Sequence, residues 1–560
     1  MTTPARFWTR TWSIAAAIVV LAFGFRLINV RDLPNDHYMH LAWAQQLLFG
    51  ELPGRDFVDP GMPLTYALSA LVQTISSGPF SEAVMCCLML ALAAAATFLV
   101  ISDLTGSIGA GLAGALVEVA LYPRLYSYPK ILVPAVALLL IQRYVRCACR
   151  VRLVLMAIWT AVAVLLRHDL GVYAAAGCGA ALLSVHWENR AELARAVGWY
   201  AAIVIVVMMP YVVFVQWTEG LTEHFHEAVE FARGEAHQRF LAPPPFPFLD
   251  DPAGFSAWSA DDSAVLLFYV AHLAAVVALV LLVKSTSRRP AIAAALAMLV
   301  LYLVVVLRHP IVSRIQDVAA LLAIVGVWAV VESRRHGMAA FVFAIAVGAL
   351  SIASIWQLGA LTERLRDTRV ADGFGTMART IEGVKDTGTQ WPWERFWPAG
   401  ELPEAVRYLN ACTSPDDAVL LTWAAPEYYF FAKRRFGAGH ALFLPPDAFA
   451  TPHDQDRMLA RMRGQRLPIV LINETRRKEF ADTYGEVDRY LQQEYVAAGH
   501  FSIREGSEVT IAVRRDLKPA RAYGAERWPC GFDSRAASKT ASTMLEGSAT
   551  PFPAMSNAVP

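Results

Sequence analysis

The chain has 560 residues, of which 56% are hydrophobic and 17% charged, and its mean hydropathy is +0.40. Soluble chains carry about 25% charged residues, so this composition excludes a string of water-exposed domains, and equally collagen-like and disordered classes; it fits a chain that crosses a membrane many times. Lys and Arg number 49 against 48 Asp and Glu, a balance that gives no reason to expect a nucleic-acid partner.

In chain order, apolar runs of spanning character fall at 12–30, 83–101, 107–122, 131–146, 153–166, 171–186, 197–216, 263–283, 291–307, 317–332 and 338–356. A spanning helix needs roughly 20 such residues, and these runs predict a polytopic, mainly α bundle of about eleven spans. The first has Arg26 inside it and no small-residue cleavage site after it, which reads as a retained anchor. With the N-terminus inside, thirteen Lys/Arg fall in about 50 residues of inner loop and nine in about 118 residues of outer loop, the bias expected of a cytoplasmic N-terminus. An odd number of spans then leaves residues 357–560 outside. Residues 63–77 are apolar but short, and counting them as a span would put the Arg-rich loop 142–152 outside; they are expected to lie in the outer interface.

The long first outer loop, 31–82, is the most informative segment. Asp36 and His37 follow the membrane boundary, and Tyr38, Leu41, Ala44, Leu47 and Leu48 recur at helical spacing. Asp36 can cap this amphipathic helix, or stand at the membrane face as a base or metal ligand. Asp56 and Asp59 follow. The next outer loops break the positive-inside bias: PRLYSYPK with Arg124, Tyr126, Tyr128 and Lys130, RHD with Arg167 and Asp169, and RHPIVSR with Arg308 and Arg314. Snorkelling explains any one of these cations; for all of them, a shared anionic ligand is the better account, because Arg grips phosphate through two parallel hydrogen bonds. The run TEHFHEAVEFARGEAHQRF (222–240) carries His224 among acids and reads as a solvated amphipathic helix.

Past the last span the pattern changes. AVLLTW (418–423), PIVLI (468–472) and VTIAVR (509–514) read as strands, 403–411 and 477–494 as helices. This predicts a small α/β domain within 357–530, followed by a disordered Ser/Ala/Thr/Pro-rich tail, 531–560. Cys412 and Cys530 are the two cysteines outside the membrane and inner loops; an oxidising compartment would let them pair, the alternative being two free buried thiols.

The first outer loop, PNDHYMHLAWAQQLLFGELPGRDFVDPGMPLTYAL, resembles that of GT-C type glycosyltransferases, the superfamily of the lipid A aminoarabinose transferases and protein O-mannosyltransferases. The matching positions are Asp36, Tyr38, Gly50–Pro53, Asp59, Pro63 and Tyr66. His37 stands where the family has a second acid, and Tyr128-Pro129-Lys130 where it often has Asp-Pro. The resemblance implies a bacterial inner-membrane enzyme that moves a sugar from a polyprenyl-phosphate donor to an acceptor hydroxyl at the outer face. Asp36 would be the general base, with His37 beside it and Asp169 as the replacement acid. Lys130, Arg167, Arg308 and Arg314 would hold the donor phosphate, and Tyr38, Tyr66, Tyr126 and Tyr128 would line the substrate site. A divalent ion would fall to Asp59 or His37. The competing readings are a transporter or lipid flippase, for which the chain shows no inverted repeat, and a non-catalytic scaffold, which would not need Asp36 or the outer cations.

Overall fold

The structure, a computed structural model, describes residues 4–30, 33, 35–59, 61–226, 229, 243–247, 258–284, 289–307, 314–369, 373, 375–376, 402–441, 443, 450–503 and 507–532. The chain divides into two compact units, Met1–Pro398 and Ala399–Pro560. The first unit therefore extends beyond the last expected span and includes a short helix at Leu361–Asp367. The tail beyond 532 lies outside the described residues.

Each expected apolar run is a helix. They are α1 (Pro4–Ile28), α4 (Pro79–Thr105), α5 (Ile108–Ala120), α6 (Tyr128–Arg146), α7 (Arg150–Leu166), α8 (His168–His186), α9 (Arg190–Thr218), α10 (Ala260–Lys284), α11 (Pro290–Val306), α12 (Ala319–Ser333) and α13 (Met338–Leu358). Among the described residues, seven helical segments are long and apolar enough to cross a membrane, so the chain is a multi-pass membrane protein. Local chemistry sets the ends: α4 opens on Pro79, whose missing N–H costs nothing in a first turn, and closes on left-handed Gly106 at φ 69°. Ser107 then caps α5, its side chain accepting from the Ala110 amide. One core runs through this unit, with Val133, Leu138, Met156, Leu170, Leu267, Met298, Leu299, Leu321 and Trp328 buried together. Ile205, Val206 and Val213 on α9 and Val342 and Ile352 on α13 are instead exposed, apolar surface suited to lipid rather than water.

Two further helices, α2 (Asn35–Leu48) and α3 (Pro63–Ile75), lie in the long loop between α1 and α4. At 13 residues α3 is, like α5, shorter than the roughly 20 that a span requires. Its start is tied to the bundle: the Thr65 hydroxyl donates to the Leu166 carbonyl at 2.6 Å, and the His168 amide donates to the Gly61 carbonyl at 3.0 Å. Gly61 sits at φ +76°, and a Cβ there would come within 2.9 Å of the His168 ring, so the turn can close on α8 only without a side chain.

Cross-links among helix ends show how the bundle is threaded. Arg26 at the end of α1 donates to the Pro123 carbonyl after α5, Tyr122 donates to the Asn29 carbonyl, and Tyr302 near the end of α11 donates to the Lys130 carbonyl at the start of α6. The ends of α1, α5, α7, α9 and α11 thus share one end of the bundle with the starts of α6, α8 and α12, and consecutive helices alternate in direction.

The second unit holds a five-stranded mixed sheet in the order β2-β1-β3-β5-β4, formed by β1 (Ala418–Leu421), β2 (Arg435–Phe436), β3 (Ile469–Asn473), β4 (Tyr495–Ile503) and β5 (Ser507–Arg514). The first three are parallel; β5 lies antiparallel between β3 and β4, so VTIAVR is a central strand. The fully buried runs of β1 and β3 match the unbroken apolar stretches expected of strands covered on both faces. Cys412, at the end of helix Leu402–Cys412, is bonded to Cys530 in the hairpin strand Trp528–Phe532, 118 residues away. Closing a loop of that length limits the unfolded chain by roughly 4–5 kcal/mol in the chain-entropy account.

Two buried groups make this unit's stability depend on pH in opposite directions. Burial pushes the Glu427 carboxyl up to about 8 from 4.5. Its contribution is complete below the unfolded value of 4.5 and is lost as pH rises through about 8. Burial, with help from Arg461 and Arg457, pushes the His440 imidazole down to about 3 from 6.5. Its contribution is complete above 6.5 and is lost as pH falls toward about 3. Glu427→Gln cannot ionise, so it should slow hydrogen exchange of the β1 and β3 peptides relative to wild type at about pH 9 and change little at about pH 5. The two proteins are compared in full length at each pH.

Candidate functional site

The shared end of the bundle gathers an alternating set of cations and acids. Lys130, in the first turn of α6, donates to Asp317 at 2.6 Å, and both are largely buried, with side chains 7% and 8% exposed. Asp317 precedes α12, and Arg314 reaches it at 4.0 Å. Arg314 also donates to the Tyr126 hydroxyl at 2.8 Å, which Arg124 meets at 3.3 Å. Arg167, between α7 and α8, pairs with Asp169, and Asp169 accepts from Tyr173 at 3.3 Å. Tyr173 packs on Tyr302 with ring centroids 4.6 Å apart. Lys130 lies within the electrostatic reach of both Arg167 and Arg314.

Asp36 is half-buried in the first turn of α2. It interacts electrostatically with His40, one turn on, and with Tyr126. His40 in turn interacts with Arg167 and Lys130, which connects α2 to the paired cations. Burial pushes the His40 imidazole down to about 4, Asp36 opposing the shift and the two cations adding to it, so a neutral imidazole faces this set at neutral pH. Burial pushes the Tyr126 phenol up from its ordinary value, so it stays protonated and can donate a hydrogen bond.

The structure therefore brings Asp36, Asp169, Lys130, Arg167, Arg314 and Tyr126 into one neighbourhood. Arg308 lies outside the described residues. His37, on the same face of α2 as His40, is fully buried behind this set, 3.5 Å from Glu82 and 4.0 Å from the Cys86 sulfur. Tyr38, Tyr66 and Tyr128 are buried as packing residues, Tyr66 against Trp43 and Phe57 and Tyr128 beside Arg26. Asp59 accepts from Tyr211 at 3.1 Å and from the Gly61 amide at 2.9 Å. Tyr211 also contacts His168 at 3.2 Å, and His168 packs on His224, which lies 3.0 Å from Glu219. His224 is thus buried in a polar cluster that anchors the first loop to α9, where a solvated helix face was expected. Sequence reasoning missed Asp317, His40, Tyr173 and Tyr302. Asp317 did leave a signal: an acid at the first residue of an apolar span, three residues after Arg314, needs a partner.

No family model matches the chain, and no curated protein matches it. Among solved structures, the chain is similar to the crystal structure of ArnT from Cupriavidus metallidurans bound to undecaprenyl phosphate, with a TM-score of 0.51 and 13% sequence identity over 92% of this chain and 99% of that one. The chain shares the fold of that structure.

Proposed function

We propose that this protein is a membrane glycosyltransferase that moves a sugar from a polyprenyl-phosphate donor to an acceptor hydroxyl at the extracytoplasmic face. The observation that carries the reading is the clustering of Arg124, Lys130, Arg167 and Arg314 with Asp36, Asp169 and Asp317 at one end of an apolar bundle. The similar ArnT structure holds undecaprenyl phosphate, a ligand with the charge and the lipid tail that such a place would suit. The Lys/Arg bias of the opposite loops favours an extracytoplasmic site.

The chemistry asks for three things. The acceptor oxygen attacks the anomeric carbon, the bond from that carbon to the phosphate oxygen breaks, and polyprenyl phosphate leaves with the electron pair. Asp36 takes the acceptor proton as the attack proceeds. Arg314 and Arg167, 20% and 29% exposed, can turn toward the phosphate, while the Tyr126 hydroxyl offers a neutral donor. Lys130 is held on Asp317 and acts through its field.

Native mass spectrometry of the detergent-purified chain tests the first step. Polyprenyl phosphate should bind and the matching polyprenol should not. Arg314→Ala should weaken binding about tenfold, the scale of one charge-assisted hydrogen bond, and Asp36→Asn should bind as wild type does. Equal binding of alcohol and phosphate would contradict the reading; phosphate binding without turnover of any sugar donor would favour a flippase.

A further inference from the structure

We infer that His37, His40, Glu82 and Cys86 form a closed site for one zinc-like transition-metal ion that fastens α2 to α4. Nothing in the proposed sugar transfer calls for this ion, and the inference stands apart from that reading.

The spacing places the ligands. His37 and His40 are three residues apart on α2, and Glu82 and Cys86 four apart on α4, so each helix turns its pair to one face. One ligand atom each from His37, His40 and Glu82 lies within 4.8 Å of the others. His37 Nε2 is 3.5 Å from Glu82 Oε1 and 4.0 Å from Cys86 Sγ. Zinc bonds of about 2.0–2.3 Å in a tetrahedron set ligand atoms roughly 3.3–3.8 Å apart, so small movements bring His37, His40 and Glu82 onto one ion, and the Cys86 sulfur, 4.0 Å from His37 and outside that group of three, has to turn further in to become the fourth ligand.

Unpartnered buried atoms accompany these ligand contacts. His37 Nδ1 and Glu82 Oε2 have no hydrogen-bond partner, although His37 is 0% and Glu82 1% exposed. Orphaned buried polar atoms are rare and costly; Glu82 Oε2 lies on the carboxylate that meets His37 Nε2 and marks the site, while His37 Nδ1 is on the far edge of the ring. Two imidazoles, a carboxylate and a thiolate are the donor types zinc takes in structural sites. The carboxylate and thiolate together cancel the charge of a divalent ion, which an apolar surrounding demands. Ser69 donates to Glu82 Oε1 at 2.7 Å, an outer hydrogen bond of the kind that orients a ligating carboxylate. With four protein ligands no position is left for substrate, so the ion's work is mechanical: it holds α2, and with it Asp36, against α4.

The test uses the full-length protein carrying a tag without histidines. Elemental analysis after purification in metal-free buffer should find about one zinc per chain, lost in Glu82→Gln and in His40→Ala. Cobalt-substituted wild type should show a thiolate-to-cobalt charge-transfer band that disappears in Cys86→Ser, a near-isosteric change that serves if either of the other variants aggregates. Absence of metal from zinc-loaded wild type would overturn the inference. So would zinc content unchanged in the variants, or a cobalt spectrum without the thiolate band.

Discussion

Asp36→Asn is expected to slow sugar transfer by about 10²–10⁴-fold, the contribution of a positioned general base. The side chain keeps its size and much of its capacity to cap α2, and a lost cap costs only about 1 kcal/mol, so the folded population should hardly change. Asp36 lies in the first turn of a helix that His40, Leu41 and Ala44 bury against the bundle, which fixes where its carboxylate points. Initial rates with a polyprenyl-phosphate sugar in proteoliposomes, alongside elution volume and lipid binding, separate lost chemistry from lost structure. Near-wild-type rates in the folded variant would move the base to Asp169, whose carboxylate is already engaged by Arg167 and Tyr173.

The second large effect is on stability. Asp317 faces Lys130 at 2.6 Å and Arg314 at 4.0 Å. Asp317→Asn leaves a buried ammonium without its counter-charge and should destabilise the helical unit by about 3–5 kcal/mol. Lys130→Met should cost less, because Arg314 still answers Asp317. The double variant Lys130→Met/Asp317→Leu should recover most of the loss, since well-packed apolar groups can replace a buried ion pair at little or no cost. Denaturation in mixed detergent of the wild type, Lys130→Met, Asp317→Leu and the double variant reads the coupling directly. Equal losses in both single variants and no recovery in the double would show that the pair does not carry the local charge balance.

The bundle was legible because a membrane imposes a length, so apolar runs approaching twenty residues mark helices; α3, no shorter than α5, was set apart because counting it as a span would put the Arg-rich loop 142–152 outside. The sheet was legible from its unbroken apolar stretches at 418–423 and 468–472, three residues of each pairing with the other in parallel. Lys130, Arg167 and Arg314 stood out because cations in loops expected to be outer break the bias, and Asp36 because it opens α2 and matches the family's first-loop acid; the structure brings the four into one neighbourhood. Their partners were not legible. Lys130 and Asp317 are 187 residues apart, and no local pattern encodes such a meeting. His37 was read with the acids because it follows Asp36, yet the 3.6-residue period already sets it on the stripe of His40 and Ala44, the buried side of α2. His224 was misread for a similar reason: a charged run looks solvated until tertiary structure brings Tyr211, His168 and Glu219 around it.

The central claim is that the clustered charges serve transfer of a lipid-borne sugar. Its most direct test is to incubate the purified, reconstituted protein with radiolabelled polyprenyl-phosphate sugars, pentoses and hexoses in turn, together with envelope extract as the source of acceptor. Label should leave the polyprenyl fraction for one donor and appear in a non-polyprenyl product, with polyprenyl phosphate released in equal amount and Asp36→Asn inactive. If label stays on the carrier for every donor, or moves equally well with Asp36→Asn, the account is contradicted.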